Sequence, residues 1–240
     1  MTAMATVLLV RHGRTTANAD GILAGWSPGV ELDEHGREQV RSLAGRLADI
    51  PLALVATSPL TRCRQTADLA FAGHPAERRV DERLGECRYG AWTGRALSEL
   101  TDEPLWRTVQ RHPSAARFPR SDDYDAESLR DMSARAVAAA RELDALVEAE
   151  HGPHAIWAAV SHGDVIKAIL ADAAGCPLDL FQRWQVDPAS LSVVRYTPDR
   201  PFLVRANDTG RPWTPPTGPA TDSDAVVGGG PGAPPPAAHP

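Results

Sequence analysis

The residues with chemistry to offer fall in three short runs: Arg11-His12-Gly13, Ser58-Pro59-Leu60-Thr61-Arg62 and Ser161-His162-Gly163. Each follows an apolar stretch, respectively Val7–Val10, Leu52–Ala56 and Ala155–Val160, that reads as a strand buried on both faces. Cationic groups at the end of a core strand are costly unless something satisfies them. Taken singly, each has an ordinary reading: an arginine is a solvated or salt-bridged surface group, a histidine at a strand end is structural. The repetition of His-Gly after a core strand shifts the balance towards one shared site. Two arginines, two histidines and two helix starts describe a site for a phosphate-sized anion.

Phosphoryl transfer needs an in-line nucleophile, donors for the equatorial oxygens and an acid for the leaving oxygen. None of Cys63, Cys87 and Cys176 has an arginine six residues on, so a Cys-x5-Arg loop is absent. The run Asp123–Glu127, DYDAE, lacks the strand before it that an aspartyl nucleophile needs. There is no glycine-rich nucleotide loop and no metal set; His151 and His154 flank Gly152-Pro153 and read as surface. A histidine nucleophile remains, and histidine can form covalent intermediates.

The elements that must position these runs follow from periodicity. Helical spacing from Asp33 to Ile50 puts Val40, Leu43, Leu47 and Ile50 on one stripe, and Pro51 ends it. Ser58 reads as an N-cap with Pro59 at the first helical position, for a helix reaching about Phe71. Ser128 to Asp131 reads as a capping box opening a long helix, and Ser161 with Asp164 as another, for a helix ending near Gly175. Two further strands are expected near Leu191–Tyr196 and Phe202–Arg205. Strands alternating with helices imply a three-layer α/β/α sandwich around a mostly parallel sheet, with ligands at the carboxyl ends of the strands. Residues 94–126 are irregular and arginine-bearing, and read as a cap insertion over the pocket. The catalytic domain is expected over 1–206. Residues 207–240, rich in proline and glycine, read as a disordered tail.

Composition narrows the class. The 240 residues suffice for one sizeable core, and a net charge of −6 argues against a general nucleic-acid or membrane-surface binder. Three scattered cysteines make no disulfide framework. The N-terminal apolar run is too short for a signal peptide, and no stretch is long enough to span a bilayer, so a cytoplasmic location is expected.

The four blocks LLVRHGRTTAN, SPLTRCRQTA (58–67), LGECRYGAWTG (84–94) and VSHGDVIK (160–167) resemble, in order, the motifs of the histidine phosphatase superfamily, in its phosphoglycerate mutase-like branch. The resemblance spans about Val7 to Val194. It implies His12 as the nucleophile that becomes phosphohistidine. Arg11, Arg62 and His162 would hold the phosphoryl oxygens, with Asn18 and the Gly163 N–H completing the pocket. Glu86 would be proton donor and later base; from the residues alone Asp81 and Glu82 compete with it. As an acid, Glu86 should be partly buried, beside Trp92 or Tyr89. His162 is expected to help most as a cation, Gly13 to leave room for the anion, and Arg14 to extend the anion field or merely replace a more usual neighbour.

Mutases of this branch carry a lysine after the acid block and, further on, paired arginines. Here Arg95 follows the block, and Arg107, Arg111, Arg117 and Arg120 are unpaired in sequence. Asp164 and Pro28 also depart from the mutase pattern. The expected activity is therefore a metal-independent phosphomonoesterase acting on a small metabolite, with no cofactor. A phosphoglycerate mutase-like phosphomutase is the alternative, and a non-catalytic phospho-ligand binding module is the alternative from another class. The expected partner is a small phosphomonoester, with a homodimer as the assembly option and neither nucleic acid nor membrane.

Overall fold

A computed structural model describes residues 5–212, 227–230 and 232. Among them, six strands form one sheet: β1 Thr6–Arg11, β2 Leu52–Thr57, β3 Glu77–Val80, β4 Ile156–Ser161, β5 Leu191–Arg195 and β6 Phe202–Asp208. The order is β3-β2-β4-β1-β5-β6. The first four strands in that order run parallel; β5 lies antiparallel to β1, and β6 to β5. The apolar runs thus occupy the sheet centre, as their two-sided burial requires. β3 has no apolar run to mark it. Its sequence, Glu-Arg-Arg-Val, suits an edge, where charged side chains discourage pairing with another chain.

The helices are α1 Thr16–Ala19, α2 Glu34–Leu47, α3 Thr61–Ala70, α4 Leu97–Leu100, α5 Pro104–Arg111, α6 Leu129–His151 and α7 Gly163–Ala173. Successive strand residues feed opposite faces. Leu8, Val10, Val55 and Val160 pack with Val40, Leu43 and Leu47 of α2 and with Cys63 and Ala67 of α3. Val7, Leu9, Leu54 and Trp157 pack with Met132, Ala136 and Leu143 of α6 and with Ile166 and Ile169 of α7. This is the expected three-layer sandwich. Among the described residues, no helix is long and apolar enough to cross a membrane.

Two of the expected caps are different in detail. The α3 N-cap is Leu60, with no side-chain cap bond, and the α7 N-cap is His162, also without one. The Ser161 hydroxyl instead donates to the Leu84 carbonyl at 2.7 Å, and Ser58 and Asp164 have other partners, described below. The capping box of Ser128 and Asp131 is present on α6. The insertion 94–126 holds α4 and α5 and buries Leu100, Val109, Ala116 and Phe118 in the main core, so it is better structured than its sequence suggests.

Candidate active site

The parallel register sets Arg11 of β1 beside Ser161 of β4, and Thr57 of β2 beside Val160. The three chemistry-bearing runs therefore emerge side by side at the carboxyl edge of adjacent strands. His12, Arg62 and His162 are brought into one cluster, each no more than 3% exposed.

The hydrogen bonds fix the tautomers. His12 Nδ1 is 2.8 Å from the Gly13 carbonyl, which can only accept, so Nδ1 carries the hydrogen and Nε2 keeps its lone pair. Arg62 Nε donates to that Nε2 at 3.3 Å. An Arg62 Nη donates to the Gly25 carbonyl at 2.8 Å and to His162 Nδ1 at 3.2 Å. His162 Nδ1 is thus an acceptor, and its Nε2–H donates to Ser58 Oγ at 2.8 Å. Ser58 serves as the rest for this imidazole, not as a helix cap. The rings of His12 and His162 meet edge to face, 5.2 Å between centroids.

Burial, then the charges of Arg62 and Arg11, hold His12 well below the usual histidine range, so its nucleophilic lone pair is available at neutral pH. Burial, then Arg62, His12 and Arg11, do the same to His162. The expected cationic His162 is therefore not the resting form. Three neighbouring cationic or polarised groups make a fourth charge unfavourable until a dianion arrives to offset them. Cys63 lies against the same ring, but burial pushes its thiol up to about 12, which leaves it inert.

Glu86 lies on the 3-10-rich stretch after β3 and is 3% exposed. Burial first, and the charge of Asp164 second, raise its carboxyl to about 7. That is the environment of a carboxylic acid able to hold a proton at neutral pH. Tyr89 lines the same pocket. Its hydroxyl donates to Asp164 Oδ2 at 2.9 Å. Trp92 instead packs on Trp106 and Phe118.

Two residues that sequence reasoning missed brace the acid. Trp26 Nε1–H donates to the Glu86 carbonyl at 2.6 Å. Arg135, on α6, donates to the carbonyls of Arg83, Gly85 and Glu86 at 2.7 to 2.8 Å while paired to Glu127 at 2.6 Å. Neither lies in a chemistry-bearing run; only their contacts across the fold reveal them.

Asn18 lines the pocket from α1. Its Oδ1 accepts from the Thr15 N–H and hydroxyl in a capping box, leaving the amide N–H2 as the group it can offer a ligand. Arg14 does not reach the pocket: it pairs with Asp33, the α2 N-cap, at 2.7 Å. Gly13 answers to packing and not to the anion. A Cβ there would lie 2.7 Å from the Gly36 carbonyl and 2.8 Å from a Val40 methyl. From the insertion, Leu97 lines the pocket; the other walls are Thr15 and Asn18, Gly21–Gly25, Glu86 and Tyr89.

Four residues of the proline- and glycine-rich tail form the remaining wall. Residues 213–226, 231 and 233–240 lie outside the described residues, but Val227–Gly230 are seated in the pocket, with Val227 2% exposed. Arg11, wholly buried and pushed down to about 10 by that burial, spends its two Nη groups on backbone carbonyls. The partners are Val186 at 2.7 Å, Gly230 at 3.0 Å, Gly228 at 3.4 Å and Gly229. Its Nε is buried without a partner. Gly163 opens α7 directly beneath the Gly228 carbonyl.

A family model described as histidine phosphatase superfamily (branch 1) matches residues 7–209. A probable phosphoglycerate mutase GpmB of Enterobacter sp. (strain 638) is 30% identical over 203 residues, covering 84% of this chain and 89% of that one. A solved putative alpha-ribazole-5'-P phosphatase from Escherichia coli is similar at 25% identity and a TM-score of 0.72, covering 86% of this chain and 97% of its own. A mycobacterial glucosyl-3-phosphoglycerate phosphatase is similar at 26% identity and a TM-score of 0.71, covering 85% and 98%.

Proposed function

This chain belongs to the histidine phosphatase superfamily, branch 1, and from that premise we propose that it hydrolyses small phosphomonoesters through a phosphohistidine on His12 Nε2. The observation that carries the reading is the tautomer. Gly13 takes the Nδ1 hydrogen, and burial keeps the ring neutral, so Nε2 keeps an unprotonated lone pair; at rest it accepts from Arg62 Nε, which turns to a phosphoryl oxygen when the substrate binds. A phosphoryl group entering there meets Arg62 and His162 on one side, and the Gly163 helix start and Arg11 on the other. Asn18 closes the ring of donors.

In the first step His12 Nε2 attacks phosphorus in line and the bond to the ester oxygen breaks. Glu86 delivers its proton to that departing oxygen, so an alcohol leaves instead of an alkoxide. The His12 ring is cationic in the phosphorylated state, still bonded through Nδ1–H to Gly13. In the second step the Glu86 carboxylate takes a proton from water as the water oxygen attacks phosphorus. The N–P bond breaks, and inorganic phosphate and neutral His12 are regenerated. His162, whose Nδ1 accepts at rest, takes a proton from solvent at Nδ1 as the dianion binds, donates from there to a phosphoryl oxygen, and returns the proton when phosphate leaves.

The pocket beyond the phosphoryl group supports hydrolysis over transfer between two positions of a phosphoglycerate. Its outer wall is Ile22, Leu23, Ala24 and Leu97. Arg88 pairs with Asp125 at 2.8 Å, Arg95 with Glu103 at 2.6 Å and Arg117 with Asp131 at 2.9 Å, and neither these nor Arg107, Arg111 and Arg120 line the described pocket. Among the described lining residues Arg62 is the one arginine, and in this reading the phosphoryl group takes it, which leaves the substrate carboxylate that a mutase must hold without an arginine of its own. The preferred substrate is a phosphomonoester whose leaving group is uncharged and partly apolar.

The test is to trap the intermediate. With a labelled phosphomonoester, an acid-labile, alkali-stable label should form on the wild type and be absent from His12→Ala. Labelling that survives His12→Ala overturns the mechanism. Isomerisation of phosphoglycerate that far exceeds hydrolysis of a phosphomonoester panel overturns the substrate reading.

A further inference from the structure

We propose that the Val227–Gly230 segment is an intramolecular competitor for the phosphate site: its carbonyl oxygens take the place of phosphoryl oxygens, and the enzyme turns over only when the segment leaves. The inference rests on the assignment of Arg11, Gly163 and the His12 pocket as the phosphate subsite.

The contacts are those a phosphate would make. Four bonds to the Arg11 Nη groups are spent on carbonyls, three of them from Gly228, Gly229 and Gly230. The Gly228 carbonyl lies over the first residue of α7, 2.8 Å from where a Cβ on Gly163 would be. A carbonyl oxygen there faces the positive end of the helix, where an anion would sit. The Gly228 N–H donates to Asp164 Oδ2 at 3.0 Å, beside the Tyr89 hydroxyl on the same oxygen. With the segment seated, the cavity measures about 30 Å³. That holds one or two waters and no phosphoryl group.

The sequence of the segment fits the role. Gly228 and Gly229 have φ of +75° and +66°. A Cβ on Gly228 would meet a Leu23 methyl at 3.0 Å, and one on Gly229 would meet an Arg11 Nη at 3.1 Å. Only residues without side chains bring three successive carbonyls this close to one guanidinium. Val227 inserts its side chain into the apolar wall and anchors the segment. Neutral carbonyls are weaker acceptors than a dianion. A good substrate therefore displaces them, and a poor one does not, so the segment acts as a threshold against weakly bound phosphoesters and against product phosphate.

The experiment uses the full chain. Two β-branched residues cannot adopt these φ values without strain, so Gly228→Val/Gly229→Val should expel the segment. The dissociation constant of inorganic phosphate, read by titration calorimetry and so independent of turnover, should fall about tenfold if the open state is about one in ten in the wild type. The KM for p-nitrophenyl phosphate should fall alongside. In the wild type, amide hydrogen exchange at 227–230 should quicken when saturating phosphate is added. Unchanged phosphate affinity in the double variant, with exchange at 227–230 indifferent to phosphate, sinks the competitor while leaving the hydrolase reading intact. Absence of phosphate binding and of turnover in both proteins sinks the hydrolase reading and the competitor with it.

Discussion

Replacing Glu86 by glutamine keeps the shape of the acid and removes its proton. Its carboxyl is raised to about 7, so about half of the molecules hold the proton at pH 7. At the ordinary value of 4.5 only about 0.3% would. Burial beside Asp164 is therefore worth a factor of about 150 in the population of competent acid, or about 3 kcal/mol. The leaving group decides how much of this is felt. An alkoxide cannot depart without a proton, so Glu86→Gln should lower the phosphorylation rate of an alkyl phosphomonoester by about 10²- to 10³-fold. A nitrophenolate departs unaided, so the burst of nitrophenol in a stopped-flow experiment should fall by no more than about tenfold. The variant should then stall, because the same residue must activate water, and phosphoenzyme should accumulate. In the wild type, kcat/KM for the alkyl ester should fall as pH rises through about 7. No matching fall towards acid should come from His12, which is already neutral there. Equal burst losses on both esters, or a profile flat from pH 6 to 9, would refute the assignment of Glu86.

Two predictions concern the scaffold. Asp144, 1% exposed, accepts from Trp157 Nε1–H at 2.8 Å, and burial raises its carboxyl to about 6 from 3.8. The fold thus favours the protonated form; the Asp144 contribution to stability is fully present below about pH 4 and is lost as pH rises through about 6. Asp144→Asn removes this dependence, so its urea-unfolding free energy should move in its favour relative to wild type by about 2–3 kcal/mol between pH 4 and pH 8. A difference that does not vary with pH contradicts this. Gly13→Ala forces a methyl against the Gly36 carbonyl and Val40. It should cost about 1–3 kcal/mol in the same assay and lower kcat by moving His12; unaltered stability and rate would show that the seam has slack.

The sheet centre and the anion cluster were legible because each depends on local sequence. Val7–Val10 and Ile156–Val160 can only be buried strands, and His-Gly after each reports what stands at the strand end. The caps were less legible. Ser58-Pro59 has the letters of a helix start, yet the helix begins at Thr61, and the Ser58 hydroxyl meets His162 Nε2 and the Leu60 N–H. Arg14 looked like part of the anion field, and only folding shows Asp33 beside it. Trp26 and Arg135 act through bonds to the Glu86 carbonyl from far along the chain, with no pattern to announce them. The tail was read from its composition, which speaks of how little it can bury. That composition does not report that Val227 packs into the core or that the carbonyls of Gly228, Gly229 and Gly230 meet the buried Arg11 guanidinium.

The proposed nucleophile and the proposed acid ride on parts of the molecule that should yield at different times. His12 follows a strand hydrogen-bonded on both sides, to β4 and to β5, in the middle of the sheet. Glu86 lies outside the sheet, on a short irregular segment tied by the side chains of Trp26, Arg135 and Ser161. Under mild denaturation the segment should loosen while the sheet persists, since local opening takes the weakly tethered parts first. The enzyme would then still accept a phosphoryl group from an activated ester but lose the means to give it up. The expected failure on warming is arrest as a phosphoenzyme, read as label retained on His12 below the unfolding midpoint.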